Sequence, residues 1–251
     1  MYRRGFYGGG WIALLWSLLY AGNCVSAEVT LGVRTSIAPW AIEASDRGIE
    51  LDIVRQALAY RGHSLKPVYL PFTRLKQQLE TGAIDGVLLS IESLGLEGVY
   101  WSDSHVVFQN VAVTLAEHGF ELGNVESLAS RSLSIVAFPN ARVLLGPAFS
   151  NAVDEADTYQ EITNQFSQVR MLYRKRVELI VLERSIFEYY SQQARRAGDT
   201  LSEVTIYPLF KPIHYKVSFR YPGIRDDFNA GLQALRDSGH YQKIVDSYLK
   251  P

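Results

Sequence analysis

A set of residues at or just beyond the ends of apolar runs carries side chains suited to gripping a small polar molecule: Arg34, Trp40, Phe72, Arg74, Ser90, Glu92, Asn140, Arg142 and Glu183. The arginines offer a cation to an anionic group, the glutamates an anion to a cationic one, and the rings a wall for an organic body. Arg34 and Glu183 stand out, because each follows or ends a run that reads as a buried strand, and a charge placed there must meet a partner or a ligand. Taken singly, Trp40, Phe72 and Trp101 equally suit ordinary packing, and Arg74 and Arg142 equally suit solvated helix faces.

Other chemistries find less support. The histidines His63, His105, His118, His214 and His240 have no metal-ligand spacing. There is no Gly-rich phosphate loop and no Gly-x-Ser-x-Gly elbow. The single cysteine, Cys24, lies in a segment expected to be removed, so a Cys–His nucleophile is excluded from the mature chain. A Ser–His–Asp triad is left open, since its members need not be close in sequence. No cofactor or metal is expected, and the chain reads as a binder rather than an enzyme. A net charge of −1 gives no electrostatic basis for nucleic acid or an anionic membrane.

The elements that must hold these residues follow from periodicity. Ile49, Ile53, Val54, Ala57 and Leu58 mark one face of a helix that Gly62 ends. Leu65 to Leu70 reads as a strand, Pro71-Phe72-Thr73 opens a helix closed by Gly82, and Ile84 to Leu89 reads as a strand covered on both faces. A first strand over Val29 to Val33 precedes them, and a strand over Val111 to Leu115 follows. Farther on, Leu133 to Phe138 and Val177 to Leu182 read as strands, with Asn140 as the expected cap of a short helix. Phe166, Val169 and Tyr173 fall at helical spacing before Glu178, which repeats the helix before Gly82 with Glu178 in the place of Asp85. Two α/β lobes of like construction are therefore expected. No low-complexity linker divides the chain, so it is expected to cross between the lobes more than once.

The N-terminus has the makings of an export signal. Arg3 and Arg4 precede an apolar run from Trp11 to Tyr20, and Val25-Ser26-Ala27 supplies small residues for cleavage after Ala27. The general secretory route fits this pattern better than the twin-arginine one. A periplasmic location is the resulting expectation.

In this order and spacing, Ala38-Pro39-Trp40, Gly48-Ile49-Glu50-Leu51-Asp52, Pro71-Phe72-Thr73-Arg74, Gly82-Ala83-Ile84-Asp85-Gly86, Tyr100-Trp101-Ser102-Asp103 and Arg176 to Glu183 make the chain resemble a family 3 bacterial solute-binding protein. The resemblance implies the type 2 periplasmic binding fold, α/β and two-lobed, each lobe a mixed, mostly parallel sheet flanked by helices. It places a signal peptide at 1–27, lobe 1 at 28–112 and 216–251, and lobe 2 at 113–215, joined by a two-strand hinge. It also implies a monomer that captures a small polar metabolite, an amino acid or related amine or acid. The partner is then the membrane permease of an ABC importer or a membrane receptor.

In that family an arginine after the fourth strand grips the ligand carboxylate and an acidic residue in the second lobe receives its amine. Here the matching segment, Ser90 to Glu97, has no arginine, while Glu183 takes the acidic position and Phe72 that of the stacking aromatic. Arg34 or Arg74 is expected to supply the missing cation. Two other readings share the fold: a cleft-carboxylate enzyme resembling cyclohexadienyl dehydratase, using Glu183 or Glu92 as acid, and a sensor subunit reporting to a membrane receptor.

Overall fold

A computed structural model describes residues 26–35, 37–129 and 133–249. The basic and apolar parts of the expected export signal lie outside them. The chain begins with β1 (Glu28–Arg34), α1 (Ile49–Ala59), β2 (Ser64–Leu70), α2 (Phe72–Thr81), β3 (Gly86–Ser90), β4 (Tyr100–Trp101) and β5 (Val106–Phe108). It continues through β6 (Asn110–Leu115), β7 (Ser134–Ala137), α3 (Ala141–Leu144), α4 (Pro147–Asp154), β8 (Thr158–Glu161), α5 (Gln165–Tyr173), β9 (Leu179–Glu183), α6 (Arg184–Arg196) and β10 (Val204–Tyr207). It ends with β11 (Ile213–Phe219), α7 (Pro222–Asp237) and α8 (His240–Leu249).

These strands form two sheets. The first has the order β2-β1-β3-β11-β4, with β5 also paired to β11, and the second the order β10-β6-β9-β7-β8. In each sheet three strands joined through helices are parallel, β2-β1-β3 and β8-β7-β9, and the strand beside them, β11 or β6, is antiparallel. Helical crossovers of this kind are what parallel neighbours require. The chain enters the second sheet at Asn110 and regains the first at Ile213, where the expected lobe changes fell at 112/113 and 215/216. Gln109 ties the two crossings together: its Nε2 donates to the Phe210 carbonyl at 2.9 Å, and its own carbonyl accepts from Arg184 N–H at 3.0 Å.

Helix α1 buries the expected apolar face completely, and its first turn buries Glu50 and Leu51 as well. It starts where Gly48 takes φ 146°, and a Cβ there would lie 2.3 Å from the Trp40 carbonyl oxygen, so only glycine fits. Its first amides are put to use: Ile49 N–H donates to the Pro39 carbonyl and Glu50 N–H to that of Trp40, which fixes the loop carrying Trp40. Gly231 of α7 meets the same helix so closely that a Cβ would fall 1.9 Å from the Ala57 carbonyl.

The largest apolar cluster is continuous across both lobes. Trp40, Phe108, Val217 and Phe228 from the first belong to it together with Val111, Ile180, Leu182 and Ile186 from the second. A separate cluster around Phe149 and Leu133 fills the far side of the second sheet, and one around Leu75, Ile84 and Leu96 fills that of the first.

Candidate ligand-binding site between the lobes

The carboxyl ends of the parallel strands of both sheets face a shared cavity of about 240 Å³. From the first lobe it is lined by Arg34, Thr35, Ile37, Pro71, Leu89, Phe108 and Tyr215, and from the second by Asn110, Phe138, Asn140, Thr163, Gln165, Glu183 and Ile186, among others. Strand ends in an open α/β sheet leave backbone and loop groups free to meet a ligand, so a cavity belongs there.

Of the residues expected to form the site, Arg34, Asn140 and Glu183 line this cavity. Trp40 stands behind it: its ring packs on Phe108 with centroids 4.7 Å apart, and its Nε1 donates to Glu183 Oε2 at 3.0 Å. That bond is buried and joins the two lobes directly. Ser90 is fully buried and turns its hydroxyl back onto the carbonyls of Val87 and Leu88. Glu92 is exposed and pairs with Lys216 at 2.6 Å, which holds its carboxyl below the usual range. Arg74 lies on an exposed part of α2 and does not line the cavity. Phe72 opens α2 beside the lining residue Pro71, and its side chain lies outside the described set.

The loop after β7 departs from the expected capping. Asn140 takes φ 62°, and its side chain caps nothing. The carboxylate of Glu161 does so instead, accepting Asn140 N–H at 2.6 Å and Arg142 N–H at 3.1 Å. Arg142 sits over the ring of Tyr159 at 4.5 Å and pairs with Asp154 at 2.5 Å. Both the backbone nest and the arginine are thus supplied with anions from the chain itself.

Glu183 ends β9 and caps α6. Its Oε2 accepts Ile186 N–H at 3.0 Å in addition to the Trp40 indole. The residue is 4% exposed. Burial pushes its carboxyl above the ordinary glutamate range, and those hydrogen bonds oppose the shift without cancelling it. Arg34 is different. Among the described residues no carboxylate pairs with its guanidinium, which lies near enough to the Tyr215 phenol to act on it electrostatically.

Several cavity residues were not singled out from sequence. Asn110, 3% exposed, is the cross-strand partner of Glu183, and Gln165, 6% exposed, opens α5. Both residues border the cavity. Tyr215 comes from β11, and burial raises its phenol, which keeps it a neutral donor. The usable signal in sequence was only that Asn110 directly precedes the apolar run Val111 to Leu115.

No protein-family model matches the chain, and no curated protein does. Solved structures match it closely in shape. The ancestral amino-acid-binding protein AncCDT-1, a precursor of cyclohexadienyl dehydratase, superposes with a TM-score of 0.67 at 14% identity, over 89% of this chain and 95% of that one. The GluR0 ligand-binding core in complex with L-glutamate gives 0.70 at 14%, over 88% and 98%. A histidine kinase sensor domain with similarity to periplasmic binding proteins gives 0.68 at 14%, over 89% and 96%. The fold is that of a periplasmic binding protein. At such identities the likeness concerns the fold alone.

Proposed function

We propose that this protein is an exported, periplasmic solute receptor that captures a small polar metabolite, an amino acid or related acid or amine, between its lobes and presents it to the permease of an ABC importer. It performs no chemistry. The observation that carries this reading is the cavity itself: both lobes line it, Arg34 borders it with no anionic partner among the described residues, and Trp40 bonds to Glu183 across the seam. A ligand touching both walls favours the closed arrangement by its differential affinity, and a membrane partner can read that closure. Arg3, Arg4 and the apolar run from Trp11 to Tyr20 support export.

Reporting to a membrane receptor is a second reading, favoured by the likeness to a kinase sensor domain. It shares the site and differs in the outer surface. Calorimetry on protein unfolded and refolded to strip bound ligand, against amino acids, polyamines and organic acids, tests the common core of both. Saturable binding of at least one class is expected, and no binding across the panel contradicts both readings.

A further inference from the structure

Resting on that receptor reading, we infer that Glu50 and His105, which do not line the cavity, are positioning residues of the ligand site: from behind the wall they hold Leu89 in the one backbone conformation that shapes it. Leu89 borders the cavity near the end of β3. There the ladder with β11 slips. Val87 faces Ser218 and Ser90 faces Lys216, so Leu88 and Leu89 together stand opposite Val217. A bulge of this kind re-aims the side chain it carries. Leu89 takes φ 45°, a left-handed backbone that a bulky side chain disfavours and that persists only where its surroundings impose it. The group that meets its amide is the Glu50 carboxylate, whose Oε1 accepts the N–H at 3.0 Å.

Glu50 is fixed in turn. Its Oε1 lies 2.6 Å from His105 Nε2, and both side chains are fully buried. His105 is anchored on several sides: its N–H donates to the carbonyl of Tyr215, another residue of the cavity wall, its own carbonyl accepts from Tyr241 Oη at 2.8 Å, and its ring meets Phe228 edge-on. The main chain of Glu50 donates to the Trp40 carbonyl at 3.0 Å, which ties in the loop behind the seam. As a source of stability the pair is poorly made. Among the described residues Glu50 Oε2 and His105 Nδ1 are buried with no hydrogen-bond partner. Two open valences make such a pair costlier to bury than hydrocarbon of the same shape, so what it contributes is a single arrangement of its neighbours rather than stability. The neighbour it arranges is a strained residue of the ligand-site wall.

The test is calorimetry on the mature chain, stripped of ligand and titrated with the panel of amino acids, polyamines and organic acids above, L-leucine, L-glutamate, putrescine and succinate among them. Glu50→Leu keeps the bulk of the side chain and the main-chain bond to Trp40 but offers the Leu89 amide no acceptor, and Glu50→Gln restores one. For each compound that the wild type binds, Glu50→Leu is expected to weaken binding about tenfold and Glu50→Gln to recover most of the loss. Val54→Ala is the control, a fully buried position on the same helix outside the cavity lining. It is expected to lower the urea midpoint and leave affinity within about twofold. If Glu50→Leu does not fold, His105→Phe, which fills the space beside Phe228 and removes Nε2, takes its place with the same expected weakening. Wild-type affinity in Glu50→Leu, no recovery in Glu50→Gln, or an equal weakening in Val54→Ala overturns the inference and leaves the receptor reading standing. No binding by the wild type to any compound removes both.

Discussion

Asp85 and Glu178 hold matching places in the two lobes. Asp85 Oδ2 accepts Thr30 N–H at 2.8 Å, and Glu178 Oε2 accepts Ser134 N–H at 2.7 Å, so each carboxylate pins the start of the neighbouring parallel strand. The turns before them match as well. Gly82 N–H donates to Leu79 and Ala83 N–H to Gln78, as Lys175 N–H does to Leu172 and Arg176 N–H to Met171. Strand order agrees too, with β2-β1-β3-β11 facing β8-β7-β9-β6. What differs is the end of each strand: β1 ends in Arg34, which has no carboxylate partner among the described residues, and β3 in the inward-turned Ser90, whereas β9 ends in Glu183, which reaches the other lobe. One scaffold used twice leaves its strand ends free to diverge, and binding asymmetry resides there.

The interiors diverge as well, and this sets the largest expected effect. Behind the cavity wall of the first lobe, His105 Nε2 and Glu50 Oε1 lie 2.6 Å apart, both residues fully buried, and Glu50 Oε1 also accepts the amide of Leu89, itself held at φ 45°. The second lobe uses a neutral device, Gln168 Nε2 bonded to the carbonyls of Val136 and Val181. Glu50→Ala strands the His105 ring and the Leu89 amide, and is expected to cost about 3–5 kcal/mol in urea unfolding. Gln168→Ala is expected to cost about 1–3 kcal/mol. Equal costs would show that the contact between Glu50 and His105 confers nothing beyond an ordinary buried hydrogen bond.

Next in size is the bond between the lobes. Trp40→Phe keeps a ring against Phe108 but removes the donor to Glu183, with an expected loss of about 1.5–3 kcal/mol. A loss well below that range would place little weight on the seam.

Glu183 also marks a pH asymmetry between the lobes. Its folded-state carboxyl is raised, so the stability it brings is complete below the ordinary glutamate range and is lost as pH rises through the folded value. Thermal unfolding of wild type and Glu183→Gln from about pH 4 to about pH 8 is expected to show the variant gaining on wild type as pH rises. A constant difference would refute the burial argument.

The smallest effect concerns the matched turns. Gly82 takes φ 78° freely, whereas Lys175 takes φ 56° against the steric preference of its side chain. Lys175→Gly is expected to stabilise by about 0.5 kcal/mol, after losing an exposed pair with Glu117 that contributes little. A destabilised variant would show that the pair matters more than the strain.

The plan of the lobes was legible in sequence because it is written locally. The apolar runs of β3 and β9 and the face of α1 are periodic signals, and the Asp85 and Glu178 repeat is a matter of spacing. The site was only partly so. Glu50 and His105 are brought together by a fold that closes 55 residues, Glu161 reaches the Asn140 loop from a neighbouring strand, and Arg142 finds Asp154 one helix away. Asn110, Gln165 and Tyr215 face the cavity through sheet register and helix placement, which no local pattern announces.

Small-angle X-ray scattering tests the account's central claim most directly, that the two lobes clamp a guest at their seam. Ligand-stripped protein is expected to have a larger radius of gyration than protein saturated with a bound compound. Binding established by calorimetry with no change in the radius of gyration would contradict it.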